Sequence, residues 1–212
     1  MKLLELPKLD NELIAQQLKT LRLSTDKKIT EVAEATGYTP SYISLIENGK
    51  RNLNYKILRK ILLYGFGETL SSFFAKILDH ESKFDTFDED TSPDLQIYKT
   101  PFKLYNEDKT VAIQILIPTD ASRGIELVKV ILSEGSIFED EFTTNFKLQG
   151  TVLNGMVEIQ HNGQRTEVLQ NESFSLLVKT TLYQPNSTGG FKILNLSKGT
   201  SEILLLFTPP VF

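Results

Sequence analysis

The side chains best suited to chemistry in this sequence lie in one short segment. Ser44 and Leu45 lie three and four residues after Ser41, as on one side of a helix. In the major groove of DNA, hydroxyls can bond to base edges and an apolar side chain can contact the thymine methyl. Lys50 and Arg51 follow directly, and such cations contact backbone phosphates. The segment therefore predicts a helix that binds double-stranded DNA.

The flanking residues predict the helix that this chemistry needs. Gly37 can adopt the positive φ that ends one helix and starts a sharp turn. Thr39 is a good N-cap, and Pro40 suits the first position of the next helix. Ile43 and Ile46 recur at helical spacing and are expected to face a core, which leaves the two serines and the leucine on the outer side.

The surrounding first third of the chain has the apolar periodicity of helices. We predict five short helices between about residues 10 and 79. Ala33 lies where two of them must cross closely, since a larger side chain would push them apart. The charge also favours nucleic acid here. Residues 19–60 contain nine Lys and Arg against four Asp and Glu, a local charge of +5 in a chain of net charge −4.

The rest of the chain has a different pattern. Residues 80–94, HESKFDTFDEDTSPD, are acidic with few aliphatic residues, and they are interpreted as an exposed linker. Short β-branched and aliphatic segments such as TVAIQILIP, GIELVKVIL and EILLLFTP follow, separated by turn residues. They predict an all-β sandwich or barrel. Asn162 and Gly163 form the strongest two-residue hairpin signal.

Composition limits the classes of protein that fit. The chain has 40% hydrophobic and 24% charged residues, as soluble globular proteins do. No apolar run approaches the ~20 residues that cross a bilayer. With no cysteine, disulfides and thiolate metal sites are excluded, and a cytoplasmic location is expected.

The segment TGYTPSYISLIENGKRN resembles the helix-turn-helix of the Xre family, which includes the phage lambda and 434 repressors. The resemblance covers roughly residues 10–78 and implies a recognition helix at 39–48. It also implies that Arg22 pairs with Glu47 in a structural role. Members often have Gln at the position of Ile29, where it contacts phosphate, and two preceding lysines are expected to replace that contact. The DNA contacts predicted in all are Lys27, Lys28, Thr39, Pro40, Ser41, Tyr42, Ser44, Leu45, Asn48, Lys50 and Arg51.

Tyr42 and the basic residues of the fourth predicted helix leave alternatives open. Tyr42 can pack at the helix edge as readily as touch DNA. Lys56, Arg59 and Lys60 are interpreted as solvated charges.

The later segment GTVLNGMVEIQ, followed by a polar hairpin, LQNESFSLLV and QPNST, resembles a cupin barrel. The predicted fold class is thus α then β in two domains: a five-helix lambda-repressor-like domain at 1–79, the acidic linker at 80–94, and a double-stranded β-helix (cupin) at 95–212 that senses a ligand or dimerises.

The metal ligands of cupins, a His-x-His pair, a Glu and a later His, are missing from the sequence. Glu141 and Thr143 take the two His places, Lys147 or Leu148 takes the Glu place, and the last His place falls at about Leu182. Neither histidine of the chain is expected to replace them, since His161 belongs to the hairpin and His80 to the linker. We therefore expect no metal and no cofactor. The residues of any ligand site are unknown from the sequence. Residues 139–141, Glu-Asp-Glu, could attract a cationic ligand, but an exposed acidic loop is the favoured interpretation.

These observations favour a transcriptional regulator and not an enzyme, and the resemblance to the Xre family implies a repressor in preference to an activator. The protein is expected to bind a partly palindromic operator as a homodimer and to sense a small-molecule effector through its cupin domain. Two alternatives stay open at this stage. One is a cupin enzyme with an accessory helical domain, and the other is a protein-interaction module such as an antitoxin.

Overall fold

The computed structural model describes residues 11–82, 103–117, 124–140, 142, 144–179 and 190–211. The chain divides into two domains, Met1–Phe102 and Lys103–Phe212. Most of the predicted linker lies outside the described residues. Its first three residues, 80–82, continue the last helix of the N-terminal domain. No helix of the described residues is long and apolar enough to cross a membrane.

The N-terminal domain is helical, as the periodicity predicts. A π-helix, Ile61–Phe66, continues directly from the fourth α-helix, and Gly65 within it is buried against Val32. The α-helices are α1 (Asn11–Ser24), α2 (Ile29–Thr36), α3 (Pro40–Glu47), α4 (Tyr55–Lys60) and α5 (Leu70–Ser82).

Local sequence fixes where these helices begin and end. Gly37 ends α2 in the left-handed conformation, with φ of 70°. Thr39 precedes α3 as its N-cap, and its Oγ1 accepts a hydrogen bond from the Tyr42 backbone N–H at 3.2 Å. Asn54 caps α4 in the same way, accepting from the Ile57 N–H at 2.8 Å. The predicted turn between α2 and α3 is therefore present.

The core of the helical domain is apolar and drawn from every helix. Ala33 is 1% exposed, as its predicted place at a helix crossing requires. The other buried apolar side chains are Ile14, Ala15, Leu18, Val32, Ile43, Ile46, Tyr55, Leu58, Ile61, Leu62, Leu70, Phe73, Phe74 and Ile77.

The C-terminal domain consists of two antiparallel sheets, in agreement with the predicted cupin-like architecture. The six-stranded sheet has the order β1-β2-β3-β10-β5-β8, and the four-stranded sheet has the order β4-β9-β6-β7. The strands are β1 (Leu104–Tyr105), β2 (Val111–Ile117), β3 (Glu126–Leu132), β4 (Ile137–Glu139), β5 (Phe146–Asn154), β6 (Met156–His161), β7 (Gln164–Leu169), β8 (Ser173–Val178), β9 (Phe191–Asn195) and β10 (Ser201–Thr208).

A cluster of five phenylalanine rings lies between the two sheets. The rings come from strands of both sheets and from the chain after β4, with centroids 4.7 to 6.4 Å apart. Such distances are those of favourable aromatic pairs. The members of this cluster are Phe138, Phe142, Phe146, Phe191 and Phe207.

The predicted hairpin turn joins β6 to β7. Asn162 and Gly163 both have positive φ, 51° and 76°, as a type I′ turn requires. His161 and Gln164 are paired on either side of it. The strand that follows, β7, was absent from the predicted strands because five of its six residues are exposed and its sequence lacks apolar alternation.

A buried polar network holds the turn after β9 against the start of β6. The Asn195 side chain is 2% exposed and donates from Nδ2 to the carbonyls of Leu132, Ser133 and Gly199. Its Oδ1 accepts from Ser201 Oγ at 2.6 Å. Because every amide atom is satisfied within the protein, the network fixes this end of the domain.

Substitution of Gly155 tests this polar network. Gly155 has a φ of 84°, and a Cβ there would overlap Ser201 Oγ and lie 2.8 Å from Ser197 Oγ. We expect Gly155→Ala to destabilise the β domain by roughly 2–4 kcal/mol, from overpacking together with backbone strain. The measurement is the free energy of unfolding in urea.

Gly163→Ala is the matched control. Its φ is also positive, but nothing lies within 4 Å of the added carbon, so only the strain of about 1–2 kcal/mol is expected. Equal losses for the two variants would contradict the overpacking.

Candidate nucleic-acid interface

Helix α3 presents the predicted base-reading residues on its outer side. At 100° per residue, buried Ile43 and Ile46 define its inner face, and Ser41 and Leu45 lie opposite them. Both outer residues are exposed, Leu45 at 38%. The remaining predicted reader, Ser44, lies on one flank and is partly exposed. The structure thus places all three on the accessible surface of one helix.

The start of α3 leaves its first turn open to solvent. Thr39 and Pro40 are both exposed. The partial positive charge at a helix N-terminus favours a phosphate oxygen. Pro40 has no N–H, however, and the Tyr42 N–H is already bonded to Thr39, so this attraction rests on the helix dipole more than on free N–H groups.

The end of α3 brings a further predicted contact close to the reading face. Asn48 caps the helix, and its Nδ2 donates to the Ser44 carbonyl at 2.7 Å and lies 3.4 Å from Ser44 Oγ. Lys50 is exposed, and its backbone N–H donates to the Leu45 carbonyl at 2.9 Å. The turn that carries both residues is therefore tied to α3.

Beside the other flank of α3, two cations lie next to two tyrosine rings. Tyr38 and Tyr42 have ring centroids 4.9 Å apart. The Arg51 guanidinium carbon lies 5.8 Å from the Tyr42 centroid, and Lys60 Nζ lies 4.9 Å from that of Tyr38. Tyr42 therefore packs at the helix edge, and it also lies beside Arg51, a predicted DNA contact. Its position agrees both with a packing role and with contact to DNA.

Sequence reasoning missed Tyr38 and interpreted Lys60 as a solvated charge. The spacing of two tyrosines four residues apart was the available signal, although a turn and a helix start intervene. For Arg59 the interpretation as a solvated charge is wrong, because that side chain is buried with 6% exposure. Lys56 is exposed, as expected.

A buried ion pair fixes α3 to α1. Arg22 Nε donates to Glu47 Oε1 at 2.7 Å and Nη2 to Oε2 at 2.9 Å, a bidentate arrangement. Arg22 Nη1 also donates to the Lys27 carbonyl at 3.1 Å. The hydrogen bond to Glu47 is the main cause that raises the pKa of Arg22, against an opposing effect of burial. One guanidinium thus connects two helices and the loop between α1 and α2.

The two lysines expected to replace a missing phosphate contact differ in position. Lys27 Nζ donates to the Gly65 carbonyl at 2.5 Å and lies 5.5 Å from the Phe66 ring centroid. It is thus held against the π-helix, whereas Lys28 is exposed at the start of α2. Only Lys28 is free to extend towards a DNA backbone beside Ile29.

The β domain lacks the donor set of a cupin metal centre among its described residues. Leu148 points inward and is fully buried, while Lys147, the other residue aligned with the Glu ligand, is exposed. Neither supplies a carboxylate or imidazole. No group of three or more His, Asp or Glu side chains in the described ranges could hold a metal ion. The positions aligned with the His ligands, Glu141, Thr143 and Leu182, lie outside the described residues.

Other groups weighed for ligand binding have partners within the protein. Glu139 forms an ion pair with Lys192 at 2.7 Å, so it is partly neutralised. His161, at the hairpin, has Nδ1 3.4 Å from the Gly190 carbonyl and Nε2 3.0 Å from Asn162 Nδ2. The side chain of His80 lies outside the described part of α5. The described residues thus bring no predicted ligand-binding groups together.

Comparison with known proteins agrees with this geometry. Residues 18–64 match the HTH_3 family, described as helix-turn-helix. This segment is an HTH_3 helix-turn-helix. The predicted Xre-type N-terminal domain is thereby confirmed. No protein of curated function matches the sequence.

The whole fold also has a counterpart among solved structures. An HTH_3 family transcriptional regulator from Vibrio cholerae has 20% sequence identity and a TM-score of 0.64, over 94% of this chain and 97% of that one. This similarity establishes the fold, a helix-turn-helix domain followed by a β domain.

Two further similarities have lower TM-scores. The Cupin_2 domain of an XRE family transcriptional regulator from Enterobacter cloacae has 15% identity and a TM-score of 0.40, over 48% of this chain and 98% of that one. The Fe(II) form of HppE has 14% identity and a TM-score of 0.41, over 94% and 100%.

The ion pair of the HTH_3 domain yields a stability prediction. Glu47→Leu leaves the Arg22 guanidinium buried without its carboxylate, so we expect a loss of about 3 kcal/mol in the free energy of unfolding. The double variant Arg22→Met/Glu47→Leu should recover most of that loss, because no charge is then buried alone. Chemical denaturation followed by circular dichroism measures both. A double variant no more stable than the single one would contradict this account of the pair.

Proposed function

We propose that this protein is a sequence-specific DNA-binding transcriptional regulator that acts as a repressor by occupying its operator. The observation that carries the proposal is the outer side of α3, where Ser41 and Leu45 are exposed while Ile43 and Ile46 anchor the helix. Such a helix enters the major groove in helix-turn-helix proteins. A role at DNA also accounts for the local charge of +5 over residues 19–60.

The proposed contacts divide into two roles. Ser41, Ser44 and Leu45 meet base edges and so determine sequence preference. The remaining contacts meet the DNA backbone and position the helix, which raises affinity for every sequence. The backbone group comprises Lys28, Thr39, Pro40, Asn48, Lys50 and Arg51. Two predicted contacts are left out of it: Tyr42, whose ring lies beside Arg51, and Lys27, which contacts Gly65 and Phe66.

The two roles predict different mutant behaviour. Ser41→Ala should change which base is preferred at one position of the selected site, by roughly 1 kcal/mol. Lys50→Ala and Arg51→Ala should weaken binding to all duplexes, and each should reduce the slope of log affinity against log salt by about 0.9. Selection from a randomised duplex pool, followed by titration at several salt concentrations, measures both effects.

Lys198→Ala is the control, since this lysine is exposed on the β domain. It should change neither preference nor slope. If all of these variants behaved like the wild type, or all lost binding equally, the division into two roles would be wrong.

A single recognition helix covers one half-site, so the proposal includes a homodimer on a partly palindromic operator with half-sites about one DNA turn apart. The outer face of the six-stranded sheet is the proposed dimer contact. Its outward side chains include half-exposed Leu127, Ile131, Leu204 and Leu206, and Leu177 is 59% exposed. Such an apolar surface is typical of interfaces.

The charged side chains on this face include Lys147, which faces outward beside Leu177, as well as Lys129 and Glu202. Lys129 and Glu202 form an ion pair with each other across β3 and β10. Two copies can therefore meet on this face with the charges of Lys129 and Glu202 already neutralised.

Leu177→Glu tests this contact. A charge in the interface should shift the protein from dimer to monomer in sedimentation velocity, without loss of secondary structure. Leu23→Glu, at a leucine of α1 with a similar exposure of 62%, should leave the sedimentation unchanged. A Leu177→Glu protein that remains dimeric would place the contact elsewhere.

For the β domain, the role that we propose is dimerisation. The five rings of the phenylalanine cluster pack against one another between the sheets. A small-molecule site needs space and a few placed polar groups, which this part of the interior does not offer. Small-molecule sensing stays a prediction from the sequence.

A further inference from the structure

Four side chains form a continuous row beside α3, in the order Arg51, Tyr42, Tyr38, Lys60. The two tyrosine rings are in contact, with centroids 4.9 Å apart and planes tilted by 40°. A cation lies over a ring at each end, at 5.8 Å for Arg51 and 4.9 Å for Lys60. Both distances are within the range of cation–π attraction. We refer to these four residues as the tyrosine row.

The row lies at the edge of the proposed reading face. With 100° between successive residues, Tyr42 falls on one flank of α3 and Ser44 on the other. Ser41 and Leu45 lie between the two flanks. In a duplex, the phosphates of a strand border the major groove that a recognition helix enters. The row therefore adjoins the place where a backbone would pass.

Stacking on a ring leaves each cation able to bind phosphate. A guanidinium that stacks with its flat face keeps its N–H donors at the edge, where they can form paired hydrogen bonds with phosphate. An ammonium has three donors and uses none of them on a ring. A cation that a ring holds near its binding position loses less conformational entropy when DNA binds.

The Tyr38 phenol does not offset the charge of these cations. Burial, and then the neighbouring Tyr42, raises the pKa of Tyr38 above its usual range. Tyr38 thus stays a neutral phenol under ordinary conditions. The row presents two positive charges to its surroundings.

We infer that Lys60 is a DNA phosphate contact, and that Tyr38 and Tyr42 are positioning residues that hold Lys60 and Arg51 as a pair of phosphate clamps on one flank of α3. This rests on the proposed function. It gives a DNA role to two residues that neither the helix-turn-helix match nor the sequence analysis assigned, Tyr38 and Lys60.

The test uses the full-length protein and a fluorescein-labelled mixed-sequence duplex of about 30 base pairs, titrated by fluorescence anisotropy between about 50 and 200 mM NaCl. Lys60→Gln should reduce the slope of log affinity against log salt by about 0.9. Lys56→Gln removes the same charge from an exposed position of the same helix, and the slope should not change.

The positioning role is tested through the rings. Tyr38→Leu and Tyr42→Leu should weaken binding roughly two- to fivefold, as expected for loss of an exposed cation–π contact. Tyr38→Phe and Tyr42→Phe keep the ring and should bind as the wild type does. Because Tyr42 acts through Arg51, the double variant Tyr42→Leu/Arg51→Gln should bind no more weakly than Arg51→Gln alone. Far-UV circular dichroism checks that each variant is folded.

Two results would overturn the inference while the proposed function stands. One is a Lys60→Gln protein with the salt slope of Lys56→Gln. The other is a Tyr42→Leu substitution that still weakens binding when Arg51 is already replaced, which would indicate a merely structural ring. A wild-type protein that binds no duplex at any of these salt concentrations would instead overturn the proposed function and the inference together.

Discussion

The position of the recognition helix depends on the ion pair between Arg22 and Glu47. Helix α3 has only eight residues, too few to be stable alone in water. Two buried isoleucines give it apolar contact, but apolar packing is not directional. The bidentate pair, with its hydrogen bonds of 2.7 and 2.9 Å, adds a fixed direction and distance from α1. The third bond, to the Lys27 carbonyl, extends the same constraint to the start of α2.

The helical domain was predictable because its local signals agree with one another. Gly37, Thr39 and Pro40 each require a particular backbone conformation, and together they define the turn before α3. The tyrosine row was not predictable in the same way. Lys60 reaches Tyr38 only because the packing of the helices brings α4 beside the turn, and sequence spacing carries no information about such a contact. The place of Lys27 is a similar case, since its partners Gly65 and Phe66 belong to the π-helix.

The all-β class of the C-terminal domain could be predicted from the sequence, but strand β7 and the register between distant strands could not. Strands with alternating burial, such as β3 and β10, show the period of two that the sequence contains. Strand β7 has one buried residue and no such period, so only its place after the Asn162–Gly163 turn indicates it. The register between strands from distant parts of the chain, such as β10 with β3 and β5, depends on the packing of both faces. The sequence of a single strand does not show how its two faces pack against the others.

The hydrogen bonds within α3 bear on which bases it would prefer. Thr39 Oγ1 accepts from the Tyr42 N–H, and Ser44 Oγ lies 3.4 Å from the amide nitrogen of Asn48. In both hydroxyls the protein takes up part of the accepting capacity and leaves the proton unused. Towards DNA these two groups are therefore biased to act as donors. Guanine N7 and O6, adenine N7, thymine O4 and phosphate oxygens all accept, whereas the amino groups of cytosine and adenine only donate. The internal bonding of this segment thus inclines Thr39 towards phosphate oxygens, and Ser44 towards the accepting atoms of a base edge, before any nucleic acid is bound.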